Sequence, residues 1–202
     1  MNPLLNEKSQ RDLVLASRSP RRIDLLRGMK FEFDVEPASD EAERNVPETD
    51  PQAVAELLAR RKCDEVSRRR PRSIVVAADT VVILDGRVLS KPADDAEAVR
   101  FLTALSGRTH TVITGVAVQR RSDKIDLSGS ETTRVTFRNL TRDEIERYVA
   151  TGEGRDKAGS YAAQGLGCSL IRSIDGCFYN VVGLPVALLF ELLRKAGSAA
   201  VG

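Results

Sequence analysis

The chain contains one histidine, His110, among its 202 residues. A metal centre that needs two or more His ligands therefore cannot be assembled within one chain, and a His-based triad would have to use His110 itself. Cysteine is nearly as scarce. Cys63, Cys168 and Cys177 are odd in number and lack paired metal-ligand spacing, so a reduced, cytoplasmic compartment is the expectation. No apolar run approaches the roughly 20 residues that a membrane helix needs. The opening MNPLLNEKSQ has no long apolar core or cleavage signature, so neither a membrane span nor a secretory signal is expected. Net charge is only +2, which gives a general polyanion-binding role little support and argues against a stable nucleic acid complex. The run Arg68, Arg69, Arg70 closes a predicted helix ahead of Pro71, where solvated cations favoured by the macrodipole are ordinary. No internal repeat or low-complexity tract stands out. The length suits one domain, residues 1–202, with residues 1–10 as a flexible tail.

What the chain does contain is a contradiction in residues 74–92, IVVAADTVVILDGRVLSKP. Two β-branched apolar runs read as a central strand covered on both faces, yet Asp79 and Thr80 sit between them. A carboxylate there is costly unless a positive group or a hydrogen-bond network meets it. The alternative is that Asp79 caps a bend and is satisfied by backbone amides. The strand turns on Asp85-Gly86, a two-residue hairpin signal, and the return delivers Lys91, fixed by Pro92. An acid, a hydroxyl and a base are thus fastened to one β element.

Upstream, residues 12–17 form a short buried-type strand that runs into Ser19 as N-cap and Pro20 at the first helical position, with Gly28 as C-cap. SRSPRR is therefore a strand–turn–helix junction carrying free amides, hydroxyls and the guanidinium forks of Arg21 and Arg22, an arrangement that suits phosphate. Serine–proline–arginine runs also occur in plain loops and at modification sites. Residues 31–35 read as a second strand. The acidic loop after it offers Asp40, Glu41 and Glu43 as metal-facing carboxylates or as solvated charge. A helix starts at Asp50-Pro51 with an apolar stripe of Ala53, Val54, Leu57 and Leu58, and Arg61 and Lys62 fall one turn beyond it.

Beyond the hairpin, Asp94 opens another helix that Gly107 ends. Residues 110–119 form a long strand paired with residues 131–137 across a loop near Ser128-Gly129. Thr141 to Glu144 is a capping box. Residues 152–167 are glycine-rich and polar. Within them Gln164 could read a nucleobase edge and Tyr161 could stack on the base, or the segment is an irregular surface connection. The spacing of Gly165 and Gly167 lacks the full dinucleotide fingerprint. A strand at 169–174 and a last apolar helix at about 185–193 follow, so strands and helices interleave in an α/β fold with a mixed sheet.

Four segments together resemble the Maf family of nucleoside triphosphate pyrophosphatases: LASRSPRR at 15–22, AADTVVILDGRVLSKP at 77–92, LSGRTHTVITGV at 105–116, and DKAGSYAAQGLG at 156–167 continuing to VVGLP at 181–185. They span nearly the whole chain in the family's order. The resemblance implies an elongated, two-lobed α/β fold with a cleft between the lobes, related in shape to the inosine triphosphate pyrophosphatases (Maf/Ham1), and commonly a homodimer. Carried over by position, it makes Asp79 the catalytic base. Arg21, Thr80 and Gln164 become the positions that set base specificity, and Arg22, Lys62 and Lys91 the basic contacts to the triphosphate, with Ser17 in the same motif. Asp79 and Glu41 become the ligands of a divalent cation, Mg²⁺ or Mn²⁺, with Asp40 or Glu43 as alternatives to Glu41. Cys63 replaces a small alanine after the lysine and is expected to be tolerated as a small buried residue.

The tyrosine and glutamine of DKAGSY–Q look like the subgroup acting on dTTP and UTP. The implied reaction is hydrolysis to the monophosphate and pyrophosphate, which needs a positioned water, a base and charge stabilisation at phosphorus. Two alternatives stand beside it: a non-catalytic nucleotide-binding regulator of cell division, and a house-cleaning pyrophosphatase for modified nucleotides.

Overall fold

The apolar run that opens the central segment is covered on both faces by two different groups of side chains. In the computed structural model, which describes residues 1–43 and 50–199, Ile74–Leu84 is an unbroken strand, β3. Ile74, Val76 and Ala78 point into one buried cluster, and Val75 and Ala77 into another. The two-residue period of a strand sends neighbours to opposite faces, so a strand buried on both faces must be apolar throughout.

The chain divides into two compact units. The first comprises Met1–Asp79, Thr114–Glu131 and Gly183–Gly202. Here β1 (Leu13–Leu15) lies between β2 (Phe33–Val35) and β3, parallel to both, with Leu13 level with Phe33 and Ile74. Helix α1 (Pro20–Gly28) links β1 to β2, and α2 (Pro51–Arg69) links β2 to β3. Helix α6 (Val186–Ala199) buries Leu189, Leu192, Leu193 and Ala196, spaced to share one helix face, in the same cluster as Leu13, Leu15 and Ile74.

The second unit comprises Thr80–Ile113 and Thr132–Val182. It contains the hairpin of β3 with β4 (Arg87–Leu89), where Asp85 and Gly86 both take positive φ, 51° and 73°, as a twisted two-residue turn requires. Helices α3 (Asp95–Leu105), α4 (Arg142–Ala150) and α5 (Phe178–Val182) belong here, and Thr141 closes a capping box with Glu144 at the start of α4. The core of this unit gathers Val82, Leu84, Leu102, Leu105, Phe137, Ile145 and Tyr161. Strands β5 (Thr109–Arg120) and β6 (Ile125–Phe137) have residues in both units, and β6 pairs antiparallel with β7 (Ile171–Asp175). The sheet order is β2-β1-β3-β5-β6-β7, with β4 on β3. Parallel and antiparallel pairs coexist, so the sheet is mixed.

Several local expectations are corrected. The turn between β5 and β6 is Arg121–Asp123 with Lys124 at φ 56°, and Ser128 and Gly129 lie inside β6. Gly28 is the last helical residue of α1, and the left-handed residue that follows is Lys30 at φ 61°. Of the expected stripe on α2, Leu58 is buried, together with Ala55, Ala59, Cys63 and Val66, while Ala53, Val54 and Leu57 are half-buried. Small side chains let this helix approach the sheet closely. A Cβ on Gly115 of β5 would lie 2.3 Å from the Ala55 carbonyl oxygen. Residues 1–10, for which the sequence suggests a flexible tail, make specific contacts: the Asn2 amide N–H donates to Gln10 Oε1 at 2.7 Å, and Asn2 Nδ2 donates to the Met29 carbonyl at 2.7 Å.

Candidate active site

Asp79 and Thr80 interrupt the buried run of β3 as two half-buried positions. The group that meets the carboxylate is Lys62 of α2, whose Nζ donates to Asp79 Oδ1 at 2.5 Å. Both side chains are largely withdrawn from water, 12% and 13% exposed. An ammonium, not a set of backbone amides alone, answers the acid in the strand. Beside Lys62 on α2, the Cys63 thiol is fully buried and donates to the Val75 carbonyl at 3.2 Å, a direct contact between this part of α2 and β3. Burial pushes the Cys63 thiol well up, so it is a small apolar anchor, as expected, and not a nucleophile.

The strand–turn–helix junction is built around Ser17 and Arg22. Ser17 is buried, and its Oγ accepts from the Ser19 amide at 3.2 Å and from Arg22 Nη1 at 3.3 Å. Arg22 also donates from Nη1 to the Ala78 carbonyl at 2.7 Å and from Nε to the Gly183 carbonyl at 2.7 Å. It therefore ties three sequence-distant segments together beside Asp79: the junction itself, the peptide leading into the acid, and the VVGLP stretch. Ser19 starts α1 in extended conformation with Pro20 behind it, but its side chain makes no capping bond. Arg21, half-buried, has no hydrogen bond or ion pair among the described residues. Of the two arginines, Arg22 is bonded into the scaffold.

Asp40 forms an exposed pair with Arg18 at 3.3 Å, and Glu41 lies exposed on the 3-10 turn Asp40–Glu43. The Glu43 side chain lies outside the described residues. No group of three or more His, Cys, Asp or Glu side chains gathers among the described residues. A divalent cation carried in by phosphate needs only one or two protein carboxylates, and Asp79 and Glu41 have the hard oxygen donors that Mg²⁺ or Mn²⁺ prefers.

In the second unit Thr80 is half-buried on β3, and Lys91 is exposed just past β4. The Gly159 amide donates to the Ser90 carbonyl at 3.2 Å, which fastens the glycine-rich loop to the residue before Lys91. Gln164 is exposed, in extended conformation, immediately ahead of the 3-10 turn Gly165–Leu170.

Tyr161 does not stack on a base. It is 5% exposed, edge-on to His110 and Phe137, and its hydroxyl lies 2.7 Å from His110 Nε2. Burial pushes His110 down to about 4 and the Tyr161 phenol up, so both are neutral near pH 7. Lys157 is spent inside the loop, on the Glu153 carbonyl and on Asp156. Sequence reasoning missed Glu153, whose carboxylate accepts the Leu166 and Gly167 amides, each at 3.1 Å. Its only signal was an acid at the head of a glycine-rich segment whose amides need acceptors.

A family model described as Maf-like protein matches residues 12–196. A relative from Koribacter versatilis (strain Ellin345), named dTTP/UTP pyrophosphatase, is 44% identical over 92% of this chain and 94% of its own. One of the same name from Deinococcus radiodurans is 47% identical over 94% of this chain and 95% of its own. Among solved structures, the Staphylococcus aureus Ham1 protein superposes with a TM-score of 0.51 at 14% identity, covering 92% of this chain and 97% of that one, which shows a shared fold.

Proposed function

The chain belongs to the Maf family, and from that premise we propose that it is a nucleoside triphosphate pyrophosphatase that hydrolyses dTTP and UTP to the monophosphate and pyrophosphate. Relatives between 41% and 48% identical bear the name dTTP/UTP pyrophosphatase, which supports the substrate class. Within the chain, the observation that carries the reading is the Lys62–Asp79 pair. A carboxylate on a rigid central strand, met at 2.5 Å by a lysine ammonium, is a base and a phosphate ligand waiting side by side.

In this reading Asp79 takes a proton from water as the water oxygen bonds to the α-phosphorus. The bond from that phosphorus to the bridging oxygen breaks, and pyrophosphate leaves with the electron pair. Lys62 gives the reaction its order. While its ammonium donates to Oδ1, that oxygen is occupied and cannot take a proton from water. A triphosphate carries more charge than a carboxylate and competes for the ammonium, so substrate arrival frees the base. Arg22 and Lys91 supply further charge for the phosphates, and Arg21, Thr80 and Gln164 distinguish the base. Arg22 and Ser17 hold the peptide leading into Asp79. A divalent cation, Mg²⁺ or Mn²⁺, held by Asp79, Glu41 and phosphate oxygens, would neutralise charge on the phosphates when bound. The reading takes residues 1–202 as one Maf-like domain, acting in the cytoplasm as a homodimer.

The test is pyrophosphate and orthophosphate release from a panel of nucleoside triphosphates, with Mg²⁺ and with Mn²⁺, beside Asp79→Asn. Pyrophosphate from dTTP and UTP that disappears in the variant supports the enzyme, the bond and the base together. Orthophosphate would mean attack at the γ-phosphate. Tight binding without any release would overturn catalysis in favour of a nucleotide sensor.

A further inference from the structure

The segment that carries Gln164 is held at both ends. Downstream, Glu153 accepts the Leu166 and Gly167 amides, and a Cβ on Gly165 would strike Glu153 Oε1 at 2.1 Å. Upstream, the path is set by buried aromatic residues. Ala162 and Ala163 are each 5% exposed, and the Ala162 amide donates to the Tyr148 hydroxyl at 3.2 Å. Tyr161 sits before them, its ring against Phe137 and its hydroxyl on His110, which is 2% exposed on β5. Ser160, at φ 62°, bends the chain into this anchor at a cost that the packing around Tyr161 must offset. Gln164 is the polar side chain that emerges between the two fixed ends.

His110 has no place in the hydrolytic step, and its Nδ1 is buried without a hydrogen-bond partner among the described residues. A core built only for stability would favour an apolar ring here, because a buried imidazole with one nitrogen unsatisfied is costly. What the imidazole adds over phenylalanine is a directional bond. That bond fixes the distance of Tyr161 from β5, and so the point at which the chain leaves the core toward Gln164.

We propose that the buried His110–Tyr161 hydrogen bond is a specificity device: the two are positioning residues that hold the 161–167 segment so that Gln164 meets the pyrimidine edge of the substrate. This rests on the reading of Gln164 given above. The pair touches no substrate and acts through the backbone of Ala162 and Ala163. Substrates with a different base edge are disfavoured because Gln164 cannot shift to meet them.

The experiment compares kcat and KM for UTP, dTTP, CTP and GTP in four variants of the full chain: Gln164→Ala, Tyr161→Phe, His110→Phe and His110→Gln. Tyr161→Phe and His110→Phe are expected to raise KM for UTP and dTTP about tenfold, with kcat within about twofold. Both should also lower the ratio of kcat/KM for UTP over GTP by about tenfold, a discrimination that a few lost contacts can account for. His110→Gln keeps an amide at the reach of Nε2 and is expected to restore most of that ratio. A merely structural pair would lower Tm and the active fraction while leaving KM and the ratio untouched, and that result overturns the proposal. If Gln164→Ala itself leaves the ratio unchanged, the reading of Gln164 fails. If Gln164→Ala flattens discrimination while Tyr161→Phe and His110→Phe do not, the positioning role alone fails. Should His110→Phe not fold, Tyr161→Phe, which removes one oxygen, decides the matter.

Discussion

Lys62 Nζ stands 2.5 Å from Asp79 Oδ1, so the proposed base and the proposed phosphate ligand form one bonded pair. The two residues should therefore fail as a unit. Asp79→Asn is expected to lower kcat about 10³-fold, within the range for loss of a general base. Lys62→Met should lower kcat/KM by a comparable factor and cost about 2 kcal/mol of stability, less than a fully buried pair because some water still reaches both groups. The double variant should be little worse than Asp79→Asn, since groups acting together are not additive. Steady-state kinetics with urea denaturation on all three checks this. Fully multiplicative losses would show that the pair does not act together.

Arg22 and Arg21 are adjacent yet predicted to behave differently. Arg22 donates to two backbone carbonyls and the Ser17 hydroxyl. A lysine has no planar fork to replace it, so Arg22→Lys should destabilise by about 2 kcal/mol and lower kcat through the displaced Ala78–Asp79 peptide. Arg21→Ala should leave stability within about 0.5 kcal/mol, as surface substitutions do, and raise KM instead. Thermal melts beside kinetics separate the two. Equal stability losses would mean that Arg21 is also part of the scaffold.

Gly115 is predicted to be irreplaceable for a reason that its motif alone does not give. An added Cβ would meet the Ala55 carbonyl oxygen at 2.3 Å, its carbon at 2.4 Å and the Glu56 nitrogen at 2.6 Å, all backbone. Helix α2 would have to move off the sheet, and Lys62 lies two turns along that helix. Gly115→Ala should cost about 3 kcal/mol or more, at the upper end for overpacking, and should lower activity even where folded protein remains. Denaturant midpoints and the specific activity of the folded fraction measure the two effects.

The elements legible in the sequence were those written in short-range chemistry. Asp85-Gly86, the Thr141 capping box and the Asp50-Pro51 helix start each depend on a few neighbouring residues, and each forms where expected. What misled was any signal whose meaning depends on a distant partner. Gly129 suggests a turn, but it lies inside β6 with Leu188 over it, while the true turn uses Lys124 at positive φ. Val54 and Leu57 suggest the buried stripe of α2, but the tight contact with Gly115 selects Ala55 and Ala59. Tyr161 stands among glycines and polar residues and suggests an exposed platform, yet His110, 51 residues away in sequence, takes its hydroxyl into the core. For the site, the acid in the strand was visible. Its lysine partner was visible as a basic residue one turn past a stripe and, by resemblance, as a phosphate contact, but not as the partner of Asp79, and the scaffold role of Arg22 was not visible at all.

His110 also predicts how stability depends on pH. Its ordinary value is 6.5, and burial lowers it to about 4 in the folded protein. Above 6.5 neither state binds the proton, so the residue contributes nothing to the pH dependence. Between 6.5 and about 4 the unfolded chain takes up a proton that the folded chain refuses, so stability falls as pH falls. The loss across that window is on the order of 3 kcal/mol, and it levels off below it because both states are then protonated. His110→Gln removes the titrating group and keeps a polar side chain of similar reach. Urea denaturation of both proteins from about pH 7 to pH 4.5 should give curves that converge on acidification, the variant being less sensitive by about that amount. The carboxylates contribute equally to both proteins, so the difference isolates the histidine. Curves that stay parallel would mean that His110 gains its proton in the folded protein as readily as in the unfolded one, which is incompatible with an imidazole sealed against Phe137 and Tyr161.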